Sequence, residues 1–415
     1  QGRYESNFSP AYDSQQTLFD TWLSELNNAI SVLSNGSLGN QESYFNGDIF
    51  YKSDWVKWVK LANTLKLRIA ARLENQDASK TAAIFKEVMQ DNIGPIDNDN
   101  TQLSYLMEDY LPFGTSGDIN YRSPRYGSSS IISFLKKTND PRIGIYISKN
   151  DLVGSFADSL SKYGASLPAF INPANTLIAF QGAPVDWNVN PAITTYISNQ
   201  FVFGNSDPGN SQNRYFLISP VNRLFFSPKY NNSTAEGEFR DVIVTNAESC
   251  LLIAEFIQKG YGNGINTKGT AEDWYKKGVT SSIKTMNDIA KAAKSTEGLG
   301  TNADAQINDF LDDADVKLNG VNDLERIYIQ QYLNFFRNAN EAFVLVRRTG
   351  YPKNSSAYYA REVFNAAIPR RWWLTDPGEV NRANWRTAMT DQGFTENAQD
   401  VPTLSSQRVW YDKTA

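Results

Sequence analysis

Cys250, the one cysteine of the chain, is the first residue whose type could do chemistry, since a thiolate is a strong nucleophile when a base or a positive charge activates it. It stands beside Leu251 and Leu252 in an apolar stretch, and the sequence contains no histidine to serve as its base. That setting predicts a small, inert core residue. The run DNIGPIDNDN (91–100) sets Asp97, Asp99 and Asn100 where their oxygens could meet Ca²⁺. It lacks the glycine and the closing glutamate of an EF-hand loop, so a solvated turn after a helix is expected. Asp312, Asp313 and Asp315 are read the same way. Glu248 with Glu255, and Glu236 with Glu238, are carboxylate pairs of the kind a glycosidase uses, but among 45 acids such pairs arise by chance. Arg347-Arg348 and Arg370-Arg371 have the charge for an anion site. Each lies at a helix end or beside Pro369, where helix-dipole and carbonyl contacts account for it equally well.

Composition narrows the choice further. Without histidine there is no Ser-His-Asp or Cys-His machinery and no His-ligated metal, and one cysteine builds neither a disulfide nor a thiolate cluster. Forty Lys and Arg against 45 Asp and Glu leave a net charge of −5, which argues against nucleic acid as a partner. The 9 Trp, 21 Tyr and 23 Phe stand beside 41 Asn, a pairing of stacking faces with neutral amides that suits a sugar or a peptide better than a phosphate. The expectation is therefore no catalytic residue, no metal and no cofactor.

The elements that would position such contacts are mainly helical. Residues 14–33 carry Leu18, Trp22 and Leu33 near helical spacing. In 53–73, Trp55, Trp58, Ala62, Leu65, Ile69 and Leu73 form one apolar stripe behind a cap at Ser53 or Asp54, with Arg68 and Arg72 in the last turns to complement the dipole. A third helix spans about 77–90. Helix returns at 241–259 and from Ala271 to about Lys294, then from Asn322-Asp323 through Arg337, continuing after a break to Gly350 and Pro352. Two short helical candidates follow at 356–366 and 379–390. The fold class expected is mainly α, a tetratricopeptide-like helical superhelix with a long irregular, loop-rich insertion over about 92–240 and an irregular tail over 351–415, all in a single domain spanning 1–415.

Long loops in compact proteins commonly carry binding residues, so the insertion is where ligand contacts are expected. Its aromatics beside amides or guanidiniums are Tyr121-Arg122, Trp187-Asn188 and Asn213-Arg214-Tyr215, together with Tyr126. The candidate ligand-binding residues are Trp187, Tyr215, Tyr126 and Tyr121 as stacking platforms, with Asn188 and Arg214 as polar partners.

Several blocks carry a family resemblance. WVKWVKLANTLKLRIAARL resembles the W-x-K-hydrophobic-A-N-S-L-x-L-R helix of SusD/RagB-like proteins, with Trp58, Lys60, Ala62, Asn63, Leu65, Leu67 and Arg68 in those places. AESCLLIAEFIQKGY (247–261) and WYKKGVTSSI (274–283) look like the family's helix, Gly-containing loop and Y-x-x-G-I-x-x-S helix. IQQYLNFFRNANEAFVLVRRTGYP (329–352) and IPRRWWLTDPGEVNRAN (368–384) resemble its two closing signatures, with Ala339-Asn340 where glycine is usual.

The resemblance implies an outer-membrane lipoprotein of Bacteroidota on the extracellular face. It would be lipid-anchored through a cysteine that precedes this chain, and would pass a glycan to a SusC-like TonB-dependent barrel without catalysis. A peptide ligand, or a structural role in a barrel complex with no nutrient, are the alternatives. The opening QGRYESNFSP carries neither a signal peptide nor an initiator Met and is expected to be a mature or truncated terminus.

Overall fold

The computed structural model describes residues 8–36, 42–44, 47–107, 126–150, 179–183, 218–226, 236–356, 358–359 and 368–413. Four two-residue strands, 201–202, 214–215, 230–231 and 234–235, are described in backbone alone.

The first helices are α1 (Gln15–Leu33), α2 (Trp55–Leu73) and α3 (Ala78–Gln90). Ser14, Asp54 and Asp77 cap them, each side chain accepting a backbone N–H three residues on. Such caps satisfy amide donors that the first turn leaves without an intrahelical partner. The one-stripe reading of α2 understates its burial. Val59, Leu61, Leu67, Ala70 and Leu73 are buried, but so are Asn63, Thr64 and Lys66. Those polar groups survive burial because each is met: Asn63 donates to the Gly94 carbonyl at 3.1 Å, the Thr64 hydroxyl accepts from Ile96 N at 2.9 Å, and Lys66 pairs with Glu87 at 2.7 Å. The helix is covered by α1, by α3 and by a later central helix.

Between 92 and 240 the described chain holds β1 (Leu103–Met107), α4 (Ser129–Lys137), α5 (Ile143–Tyr146), and two small hairpin-like pairs, β2 (Phe201–Val202) with β3 (Arg214–Tyr215) and β4 (Tyr230–Asn231) with β5 (Thr234–Ala235). β6 (Phe239–Val244) lies antiparallel to β1, with Leu106 opposite Arg240 and Met107 opposite Phe239. This corrects the expected helix start at 241. The β-branched run Val242-Ile243-Val244 alternates in exposure as a strand does, and Thr245 then caps a helix that begins at Asn246.

The remaining helices are α6 (Asn246–Gln258), α7 (Ala271–Ala292), α8 (Ala303–Asp312), α9 (Asp323–Asn334), α10 (Ala339–Thr349), α11 (Arg382–Gln392) and α12 (Val401–Ser406). Sequence reasoning missed α8 and α12. Only Ile307, Phe310 and Leu311 of α8 are buried, too few apolar positions to stand out in an acidic segment. The break expected between α9 and α10 is real, and α10 ends at Gly350 with φ +76, a left-handed C-cap. The helical candidate 356–366 lies mostly outside the described residues, and the candidate 379–390 is found as α11.

The architecture is thus mainly α, with helical pairs in a tetratricopeptide-like arrangement and a loop-rich insertion between them. α6 is buried from Asn246 to Phe256 and packs against α7, α9 and α2. A Cβ at Gly278 of α7 would come 2.8 Å from Leu251 Cγ and 3.2 Å from Cys250 Cβ, so glycine is what lets the two helices meet. One core cluster gathers around α2, α3, α6 and α7. A second joins α4, α5 and the 218–226 segment to the C-terminal half of α7 and to α9. That second cluster underlies the site.

Candidate functional site

A cleft of about 590 Å³ opens where the insertion meets α9 and α10. One wall comes from Tyr126 to Ile131 and from Val221 and Phe226, the other from Tyr332 through Phe343 and Val346. Its described lining is aromatic and aliphatic for the most part, and Arg337 is the one charged residue among the described residues in it. On α10, Ala339, Ala342, Phe343 and Val346 recur at the three- and four-residue spacing that puts them on one face. Leu345 alone is fully buried in that helix, so the stripe lines an open cleft instead of entering the core.

The rings are held in place by the second core. Phe336 stacks on the buried Tyr146 with ring centroids 4.2 Å apart and planes 2° from parallel. Tyr146 is itself fixed by its hydroxyl, which donates to the Leu333 carbonyl at 2.9 Å. Phe226 meets Phe336 at 6.0 Å, and Tyr332 meets Tyr359 edge-on at 5.8 Å. At one side of the cleft, Phe343 lies 5.7 Å from Trp372, which is 68% exposed, and the Arg347 guanidinium lies over Phe343 at 4.1 Å. A pre-set aromatic surface of this kind loses little conformational entropy when a ligand lands on it.

Arg337 joins this cleft to a smaller cavity of about 230 Å³, which Asp241, Thr245, Asn334 and Asn338 help to line. Its Nη1 donates to the Arg240 carbonyl at 3.0 Å, and its guanidinium stands 5.0 Å from the Phe239 ring and 5.4 Å from that of Phe225. Burial lowers its pKa, and the charge of Asp241 opposes that without forming an ion pair.

Of the residues singled out in the sequence, Tyr126 is brought to the cleft, where it also packs against Ala183 and Ile218. Arg214 and Tyr215 form β3, described in backbone alone, while Tyr121, Trp187 and Asn188 lie outside the described residues. Sequence reasoning passed over Phe336, Arg337, Phe343 and Trp372. The available signals were the Phe335-Phe336-Arg337 run between two helices and the stripe on α10.

The other chemical candidates have structural duties. Cys250 is fully buried, its thiol pushed up to about 12 by burial, with Lys277 opposing weakly. Glu248 is gripped by Arg68 at 2.6 and 2.7 Å, and Arg72 holds Glu341 at 2.7 Å, so these arginines serve ion pairs between elements more than the α2 dipole. Asp97 pairs with Lys60 at 2.8 Å, and Asp99 accepts from Asn246 at 2.8 Å and from Ser281. Arg347 and Arg370 donate to each other's carbonyls at 3.0 and 2.9 Å. Arg371 donates to Gln407 and to the carbonyls of Trp372 and Thr395. No group of three or more metal-ligating side chains gathers among the described residues, and no described helix is long and apolar enough to cross a membrane.

Residues 1–373 match the SusD-like family described as "Starch-binding associating with outer membrane". No curated protein matches the chain. Among solved structures, an outer-membrane protein of Bacteroides vulgatus described as involved in nutrient binding is similar with a TM-score of 0.68 at 19% identity, over 99% of this chain and 78% of its own. A SusD homolog from Bacteroides fragilis has a TM-score of 0.65 at 21% identity, over 98% and 78%. A chitin-binding SusD homolog from Flavobacterium johnsoniae has 0.63 at 20% identity, over 100% and 76%. At these identities the likeness carries the fold and leaves the ligand to the site's own chemistry.

Proposed function

The chain belongs to the SusD-like family, and from that premise we propose that it is a non-catalytic surface lipoprotein that captures a glycan and passes it to a SusC-like TonB-dependent barrel. The single observation that carries the glycan reading is the half-open aromatic cleft between the insertion and α9–α10. A pyranose ring offers an apolar face of C–H groups, and an aromatic ring offers a flat, electron-rich partner to it. Phe336 and Phe343 have that character, with Trp372 beside the cleft. The family's association with the outer membrane supports a position there, with a lipid anchor and an extracellular face. The ion pairs that tie Glu248 to Arg68 and Glu255 to Arg348 give both carboxylates a structural role, which supports binding without hydrolysis.

Tyr126 is included in the proposed site as a cleft-lining ring, and Tyr121, Trp187, Asn188, Arg214 and Tyr215 as insertion residues completing it. Calorimetric titration of the purified chain against a panel of oligosaccharides and peptides tests the reading. Saturable binding of an oligosaccharide without release of shorter sugars, weakened by Phe343→Ala, is expected. Saturable binding of peptides alone, or sugar cleavage by the chain, overturns it.

A further inference from the structure

The described arginines that the fold draws inward meet their donors with carboxylates, with neutral acceptors, or, as Arg326 does with Asp323 at 3.5 Å and the Val321 and Ala314 carbonyls, with both. Arg142, Arg348 and Arg68 each meet a carboxylate, Asp140, Glu255 and Glu248 respectively, at 2.6 Å. Arg371, which has no carboxylate, gives its donors to Gln407 and to two backbone carbonyls. Arg337 is met less fully than any of these. Among the described residues it makes one hydrogen bond, to the Arg240 carbonyl, and meets two aromatic rings, and its other N–H donors have no acceptor there. Among the described residues it is also the one charged side chain lining the aromatic cleft, at the point where the smaller polar cavity begins.

A guanidinium taken out of water without an anion is costly, because the lost hydration is not replaced. The same fork of parallel N–H donors that closes on Glu255 elsewhere in the fold would close on a carboxylate brought by a ligand. Asn334 and Asn338, in the adjoining cavity, add neutral amides beside it, and the Asn334 Oδ1 is buried without a donor. The cleft therefore combines flat apolar surfaces with one fixed, incompletely used cation. That matches a sugar whose ring stacks while its acid group points inward, and not a wholly neutral chain.

We propose that the glycan is acidic: Arg337 is the specificity-determining residue that receives the carboxylate of a uronic-acid unit whose ring lies on the aromatic cleft. This rests on the glycan reading above. It adds a charge requirement that the aromatic surface alone does not impose.

The test compares a glucuronic-acid-bearing oligosaccharide with its carboxyl-reduced counterpart, which has the same rings and linkages and a neutral CH₂OH in place of the acid. Titrations of the full chain at low ionic strength are expected to show the acid form bound at least about tenfold more tightly, in keeping with a charge-assisted bidentate contact, and the advantage shrinking with added salt. In Arg337→Gln the ratio collapses towards one, whereas Arg337→Lys keeps part of it. Equal affinity for the two forms in the parent protein overturns the role of Arg337 and leaves the glycan reading standing. A ratio that survives in Arg337→Gln does the same. Should Arg337→Gln fail to fold, the ratio in the parent protein and its salt dependence still decide. Binding of neither glycan removes the glycan reading itself. A preference for a peptide with a free C-terminal carboxylate over its amide, with no glycan bound, assigns the cation to a peptide and overturns the proposal.

Discussion

Arg348 closes on Glu255 through two parallel bonds, Nη1 to Oε1 at 2.6 Å and Nη2 to Oε2 at 2.7 Å, and so ties α10 to the central helix α6. The Glu255 side chain is wholly buried, and Lys259 and Gln331 also donate to it at 2.8 Å. α10 carries Phe343 and Val346 to the cleft, so this pair fixes one cleft wall to the core. Removing one partner leaves a buried charge only partly compensated. Arg348→Met is expected to cost about 3 kcal/mol, at the lower end of such losses because Lys259 remains. The double variant Glu255→Leu/Arg348→Met should be less destabilised than Arg348→Met alone, as urea unfolding would measure. A double variant worse than the single would show that the pair contributes net stability as well as specificity.

The same carboxylate is expected to contribute to the acid limit of the fold. Burial by itself would raise the Glu255 pKa, but Arg348 and Lys259 outweigh it and hold the group well below the usual carboxylate range. A depressed acid contributes stability that is fully present above its unfolded value of about 4.3 and is lost as pH falls towards its folded one. Asp412 has the opposite sign: burial raises it in spite of Arg370 and Arg408, so its contribution is fully present below its unfolded value and is lost as pH rises through the folded one. With no histidine in the chain, no side chain of ordinary pKa titrates near neutrality. Melting temperature is therefore expected to be nearly flat from about pH 6 to 8 and to fall below about pH 4.5, with a shallower fall in Glu255→Gln. An acid slope unchanged in Glu255→Gln would assign the loss to other carboxylates.

Much of this architecture was legible in the chain because local rules and tertiary packing agree there. Asp54 sits where a cap belongs, α7 begins at the expected Ala271, and Gly350 sits where α10 ends. The failures have physical reasons. Burial on nearly all sides of α2 cannot be read from a stripe, since Asn63, Thr64 and Lys66 look like a solvated face until Gly94, Ile96 and Glu87 arrive from elsewhere to meet them. Arg68 looks like a dipole partner because Glu248 lies 180 residues away in sequence. Of the candidate site residues, Tyr126 is the one whose side chain is described, and it lines the cleft. Phe336, Arg337 and Phe343 belong to a segment whose family resemblance marks it as structural, and nothing local tells a ring that lines a cleft from one that fills a core.

Gly278 offers a direct test of the α6–α7 contact. Replacing an interior helical glycine with alanine would ordinarily favour the helix by about 1 kcal/mol. Here the added methyl meets Leu251 at 2.8 Å and Cys250 at 3.2 Å, and overpacking of that kind costs about 1–3 kcal/mol. The clash is expected to win, giving a net loss that grows in Gly278→Val. Cys250 supplies an independent readout, because its fully buried thiol should react with a thiol reagent only when this contact opens. Faster labelling in Gly278→Val than in the parent is expected, and unchanged labelling with unchanged stability would show that Leu251 moves aside at no cost.

Trp372 tests whether the aromatic surface extends beyond the cleft itself. At 68% exposure it contributes little to the core, so Trp372→Ala should leave the melting temperature nearly unchanged. Its ring stands 5.7 Å from Phe343, within reach of a ligand that outgrows the cleft. If a sugar stacks there, the substitution should weaken oligosaccharide binding by about 0.5–1.5 kcal/mol, or roughly two- to tenfold. The loss should be greater for a long oligosaccharide than for a disaccharide, because only the longer chain spans Phe343 and Trp372 together. Trp22→Ala on α1 is the matched control, since that ring is 43% exposed and lines no part of the cleft. An equal loss for both chain lengths would confine Trp372 to supporting Phe343, and no loss at either length would end the bound glycan at the cleft.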